Sequence, residues 1–278
     1  VLKPCHLVLA VLAVSHGAFA ADNRIDTVRF DAPELAAFGS FDIGVRTIEV
    51  TSTDQADILS TEQGAATVIY DRSLLVEVWY PAALGLDQKP GEIYTSATRN
   101  LSITATLKGR AVRDAKAASS PAKYPLLIIS HGYPGNRYLM SHVGENLASK
   151  GYVVASIDHR DSTYHDQQAI ASTLYNRPLD QLAVIDEIER RSASSNDFLS
   201  NIVDTQRTGV IGYSMGGYGL TINLGGGLSD SAVTSPFAPA NKLAALHAAS
   251  NPQFAESRDP RIKAGFLIAP WGMEQDVW

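Results

Sequence analysis

Cysteine is nearly missing from this chain. One occurs in 278 residues, Cys5, inside an N-terminal stretch that reads as removable. The mature protein is therefore expected to hold none, which excludes disulfides, cysteine-ligated zinc and a cysteine nucleophile. Cys5 also precedes the apolar core of that stretch, an order that argues against a lipid-modified cysteine. Long apolar runs are absent too, because Leu7 to Val14 is far short of the roughly 20 residues a membrane helix needs. No basic stripe offers a surface to nucleic acid or anionic lipid, since the net charge is -6 and both signs are interspersed. No internal repeat is visible.

Lys3, the Leu7 to Val14 core and Ala18-Phe19-Ala20 have the charge, core and small-residue order of a secretory signal peptide, with cleavage expected after Ala20. The organisation expected is a signal peptide over 1–20 and one α/β domain over 21–278, exported to the periplasm or the medium, with no stable membrane insertion after cleavage. One core of that size needs neither disulfide nor metal for stability.

Residues 41–50 and 74–80 alternate polar and apolar side chains and read as two antiparallel edge strands, with polar loop over 51–73. Residues 82–123 show little periodicity and read as a surface excursion. The pattern then changes. Pro125 to Ser130 is a buried strand, Tyr138 to Lys150 an amphipathic helix closed by Gly151, and Tyr152 to Ile157 a second buried strand. A helix is expected over Leu179 to Arg191, with Leu182, Ile185 and Ile188 on one face. The Gly209-Val210-Ile211 strand and its helix follow, and Ile262 to Ala269 is the last strand. Apolar strands alternating with helices imply a mostly parallel sheet covered on both faces. Ligands of such sheets bind beyond the carboxyl ends of the strands. His131-Gly132-Tyr133, Asp158 to Asp161, Ser214 and Pro270-Trp271 all stand there.

Between the fifth expected strand and its helix lies Gly212-Tyr213-Ser214-Met215-Gly216. A G-x-S-x-G turn at such a junction makes a nucleophile elbow, in which the flanking glycines leave room for a bend that lifts the serine hydroxyl. Ser214 is the candidate nucleophile; a glycine-rich turn with a bystander serine is the other reading. Acyl transfer also needs donors for the oxyanion, and the backbone N–H groups of Met215 and Tyr133 stand where they are required. His131, before Gly132, is read as support for the oxyanion loop, with turn packing and general base as alternatives. The loop over 158–166 carries imidazoles and carboxylates, yet lacks helical H-x-x-x-H spacing and has Arg160 in its middle. It is read as hydrogen-bonded loop, with no metal and no cofactor.

The motifs Val76 to Pro81, Ser130 to Gly135, Asp158 to Asp161 and Gly212 to Gly217 resemble those of the α/β-hydrolase superfamily, in the branch of platelet-activating-factor acetylhydrolase-like and dienelactone-hydrolase-like esterases. More distantly they resemble bacterial polyester hydrolases of the cutinase type. The resemblance spans residues 41–278. It implies Ser214 as nucleophile, Tyr133 and Met215 as oxyanion amides, and Trp271, with Tyr213, as a substrate wall. It also implies a secreted serine hydrolase of small or polymeric carboxylic esters of small or medium acyl groups, acting through an acyl-enzyme. An amidase or peptidase, or a non-catalytic binding module, are the alternatives.

Serine where dienelactone hydrolases carry cysteine argues against their substrate. In this fold the acid and then the histidine follow the serine. After Ser214 the one histidine is His247, whose spacing suggests an ordinary surface or lid residue, and Asp276 is the best-placed acid. The last two strands of the fold are missing from the sequence. The acid and histidine are accordingly expected beyond Trp278, and the 278-residue chain is expected to be inactive or nearly so. Residues 228–258 form an insertion that is either a lid or a surface excursion.

Overall fold

The computed structural model describes residues 23–272 and residue 277. The expected signal segment, Cys5 and Asp276 lie outside them.

Strand β1 (Asp42–Ala56) pairs antiparallel with β2 (Ile69–Ala82). A hairpin of β3 (Ile93–Ala97) and β4 (Thr104–Lys108) follows, and the short β5 (Val112–Arg113) pairs parallel with β1. Next come β6 (Tyr124–Ser130), α1 (Ser141–Ala148), β7 (Val153–Asp158), α2 (Ile170–Ala193), β8 (Val203–Tyr213), α3 (Met215–Asn223), the single-turn α4 (Asp230–Val233) and β9 (Ile262–Ile268). The main sheet runs β5-β1-β2-β7-β6-β8-β9. From β7 to β9 all neighbours are parallel, so the carboxyl ends of these four strands share one rim.

Strand β6 sits inside the sheet and is buried on both faces. Its Leu126 and Ile128 meet Val184, Ile185 and Ile188 of α2, whereas Ile129 turns to the other face with Met140 and with Ala148 of α1. This is why 125–130 reads as an unbroken apolar run. Strand β9 stands at the edge, and its Phe266 is 65% exposed.

Three expectations change. Residues 51–56 and 69–73 are strand, because the outer halves of β1 and β2 run on as a polar ribbon, exposed at the Thr51–Ser73 hydroxyl pair (2.8 Å) and carrying the buried Arg72 at an inward position. With an arginine instead of an apolar residue at the inward position, the polar-apolar alternation that marks a strand in sequence is lost. The 82–123 excursion contains a hairpin, anchored by one buried tyrosine, since Trp79 Nε1 donates to Tyr94 Oη (2.8 Å), which donates to Glu145 (2.6 Å). Helix α2 begins nine residues before Leu179 and carries Pro178 within it. Proline removes the N–H that would bond the carbonyl four residues back; that carbonyl, Leu174 O, accepts instead from Tyr218 Oη of α3 at 2.8 Å. A side chain on a neighbouring helix thus makes an interior proline tolerable.

Candidate active site

Ser214 stands between β8 and α3 with φ 52° and ψ -114°, a conformation that non-glycine residues adopt at a cost on the order of 1–3 kcal/mol and keep only where the surroundings enforce it. Two hydrogen bonds enforce it here, from Ser214 N to Ile268 O (2.9 Å) and from Trp271 N to Ser214 O (3.0 Å). The elbow also depends on missing side chains. A Cβ at Gly212 would collide with Gly216 O, and one at Gly216 with Ser130 O. Ser214 is partly exposed, and Met215, its side chain buried, begins α3. The first amide of a helix has no intrahelical acceptor and lies at the positive end of the helix dipole.

The turn after β6 lies against this elbow. A Cβ on Gly132 would be 3.2 Å from Ser214 Cβ and 3.1 Å from the Tyr213 ring. His131 is buried, its Nδ1 lies 2.6 Å from Gly132 O, and its Nε2 accepts the His159 N–H at 3.2 Å. Because Nε2 accepts, Nδ1 carries the proton and donates to Gly132 O. Burial, with the nearby Arg177 and His159, holds the imidazole well below its usual range. His131 is thus neutral with both nitrogens engaged, and has no lone pair to offer as a base. Tyr133 donates through its hydroxyl to Gln168 O, and it packs against the buried cluster that includes Met215 and Tyr218.

Behind these loops is a buried polar network that the sequence reading did not single out. Ser130 Oγ donates to His159 Nε2 (2.8 Å), and His159 Nδ1 donates to Asp180 (2.9 Å). Arg72 holds both Asp180 oxygens (2.7 and 3.0 Å) and bonds Asp161 (3.0 Å). The order serine, histidine, aspartate is that of a catalytic triad, but Ser130 is 0% and His159 1% exposed, so no substrate reaches them. Burial, aided by Arg177, pushes His159 down to about 3. Burial alone would raise the Asp180 carboxyl, but Arg72 and His159 bring it to about 2. Buried Arg177 donates to His131 O and, at 2.5 Å, to Ser162 Oγ. The sequence does contain a signal for α2. Gln181 and Arg177 precede Ile185 by one and two turns, putting polar side chains on the stripe that should be apolar.

The rest of the 158–166 loop is hydrogen-bonded throughout. Asp158 pairs with Arg137, Asp161 accepts from Ser172 Oγ (2.7 Å), and Asp166 accepts from the Asp161 and Thr163 amides (2.9 and 3.0 Å).

Residues 228–258 form a packed cap, with Leu228, Val233, Ala244, Ala248 and Phe254 buried against Met215, Tyr218 and Ile222. Of the two places its spacing suggests, surface or lid, His247 takes the one within the cap. It is 4% exposed, and its Nε2 donates to Tyr175 O (2.9 Å), in the turn of α2 that precedes Pro178. Beneath the cap is a cavity of about 380 Å³ whose walls include Leu174, Leu228, Phe237 and Trp271. Trp271 also meets Tyr218 edge to face, with ring centroids 6.0 Å apart. The structure thus brings together Ser214, Met215, Gly132, Tyr213 and Trp271. His131 lies behind the Gly132 turn, hydrogen-bonded to Gly132 O, and His247 is turned to Tyr175 O.

Residues 88–254 match the family described as "PETase: PET hydrolase-like". The chain belongs to that family. Its strand order and elbow are those of the α/β-hydrolase fold. Platelet-activating factor acetylhydrolase of Cavia porcellus is 46% identical over 59 residues, covering 20% of this chain and 14% of that protein. Cutinase est1 of Thermobifida alba is 34% identical over 116 residues, 42% of this chain and 35% of that one. The matches thus span about a third or less of these relatives. A solved ferulic acid esterase from Streptomyces cinnamoneus superposes with TM-score 0.47 and 22% identity, covering 72% of this chain and 57% of that structure.

Proposed function

We propose that this protein is an exported hydrolase of carboxylic esters with small or medium acyl groups, acting through an acyl-enzyme on Ser214. The observation that carries the reading is the elbow itself, a strained and partly exposed serine held at φ 52° between β8 and α3, with the Gly132 turn beside it. Ser214 Oγ attacks the ester carbonyl, and the N–H groups of Met215 and Tyr133 receive the oxygen that becomes negative. The alcohol then leaves, and water releases the acid. Trp271 and the cavity under the cap take the apolar part of the ester. The names of the cutinase and acetylhydrolase relatives support the ester class.

The hydroxyl proton needs an acceptor. Among the described residues, the ring nitrogens of His131 and His159 are all engaged and His247 is turned to Tyr175 O. The base for Ser214 is thus not among these three. Hydrolysis of p-nitrophenyl esters tests the reading. S214A is expected to abolish turnover and labelling by a fluorophosphonate, and matched p-nitroanilides are expected to react far more slowly than the esters. Unchanged turnover by S214A would refute the assignment.

A further inference from the structure

We propose that Gln181 is a positioning residue for this reaction, its side-chain amide locking the nucleophile elbow to the strand that carries the oxyanion loop. The inference rests on the reading of Ser214 given above. Gln181 lies in the middle of α2 and is 0% exposed. Its Nε2 is 3.0 Å from Ser130 Oγ and 3.0 Å from Gly216 O. The two hydrogens of one amide nitrogen thus join the last residue of β6 to the first turn of α3.

The amide cannot be turned around. Gly216 O only accepts, and at the other end Gln181 Oε1 accepts from Asn223 Nδ2 at 2.9 Å, a group that only donates. Because Ser130 Oγ accepts from Gln181, its own proton is directed to His159 Nε2. His159 in turn donates to Asp180, which Arg72 holds by two bonds. The brace is therefore anchored in a buried ion pair. Hydrogen bonds in such chains polarise one another, and every member is satisfied.

Its position decides its role. The β6–β8 ladder ends at the pair Ser130 and Gly212. Past that point one chain becomes the oxyanion turn and the other the elbow, so no ladder bond fixes one against the other. The two oxyanion donors lie on either side of this divergence, Tyr133 three residues after Ser130 and Met215 next to Gly216. Gln181 spans the divergence just behind them. A misplacement of about 1 Å in such a site costs on the order of a hundredfold, and the loss of one oxyanion donor costs a hundredfold or more.

The test is Q181M, which keeps the volume and removes both donors, assayed in the full-length protein with p-nitrophenyl acetate alongside S214A. A boronic acid that forms a tetrahedral adduct with the serine serves as transition-state mimic. The expected result is a ten- to hundredfold fall in kcat with KM within about twofold of the parent, and boronate affinity reduced by the same factor as kcat/KM. A residue that only fills space would lower the melting temperature and leave kcat alone; kcat within twofold of the parent therefore overturns the proposal, as does a change confined to KM. If Q181M does not fold, N223A releases the far end of the brace without touching its donors. A three- to tenfold loss in kcat is expected there, and no loss overturns the proposal. If S214A stays active, the reading of Ser214 and the brace fall together. If S214A is inactive and Q181M is as fast as the parent, only the brace falls.

Discussion

At the scale of single residues, two serines in this chain illustrate how environment assigns chemistry. Ser130 has the histidine and aspartate of a triad but no path to solvent, whereas Ser214 is partly exposed and lacks an imidazole partner among the described residues. His159 also predicts how the fold responds to acid. Its folded value of about 3 lies below the unfolded value of about 6.5, so between those pH values the unfolded chain binds the extra proton. The stability it contributes is complete above about pH 6.5 and is lost as the pH falls towards 3, at about 1.4 kcal/mol per pH unit. His131 titrates in the same direction. Urea unfolding at pH 7, 6 and 5 is expected to show this slope, and H159Q to reduce it by one proton. An unchanged slope in H159Q would show that the imidazole is not buried neutral. The placement of Ser214 at a sharp strand-to-helix bend was legible from its pentapeptide. The hydrogen bonding of Ser130 was not, because its partners lie 29 and 51 residues away.

At the scale of elements, α2 does more than cover the sheet. Its proline leaves Leu174 O without its helical donor, and Tyr218 of α3 supplies one. Y218F should leave that buried carbonyl unsatisfied, at a cost of about 1–3 kcal/mol. In P178A the new N–H can close the helix onto Leu174 O. The double variant Y218F/P178A is therefore expected to recover most of what Y218F loses. A double-mutant cycle by chemical denaturation measures the coupling, and strict additivity would refute it. Sequence periodicity located the second half of α2 and missed the first, because Ser172, Thr173, Asn176, Arg177 and Pro178 interrupt the apolar stripe on its buried face. The β3–β4 hairpin was missed for a related reason, since its anchor is the single Tyr94 in a polar surround.

At the scale of the whole molecule, stability rests on a core packed on both faces of the sheet, with no cysteine after Cys5. Dithiothreitol is accordingly expected to leave the melting temperature of a chain beginning at Ala21 unchanged; a shift would point to a covalent link. The proposed export predicts a mature N-terminus at Ala21, which N-terminal sequencing of the secreted product checks. The sequence alone determined the alternation of strands and helices, the rim on which the chemistry gathers and the identity of the exposed serine, because these depend on local apolar period and on glycines that admit a tight turn. Tertiary structure alone decided that His131 and His247 are occupied with carbonyls, that residues 228–258 pack down as a cap, and that Gln181 ties the elbow to its neighbouring strand. Those outcomes depend on which polar groups distant segments bring together out of water, and hydrogen bonds between residues far apart in the chain leave no period in the sequence.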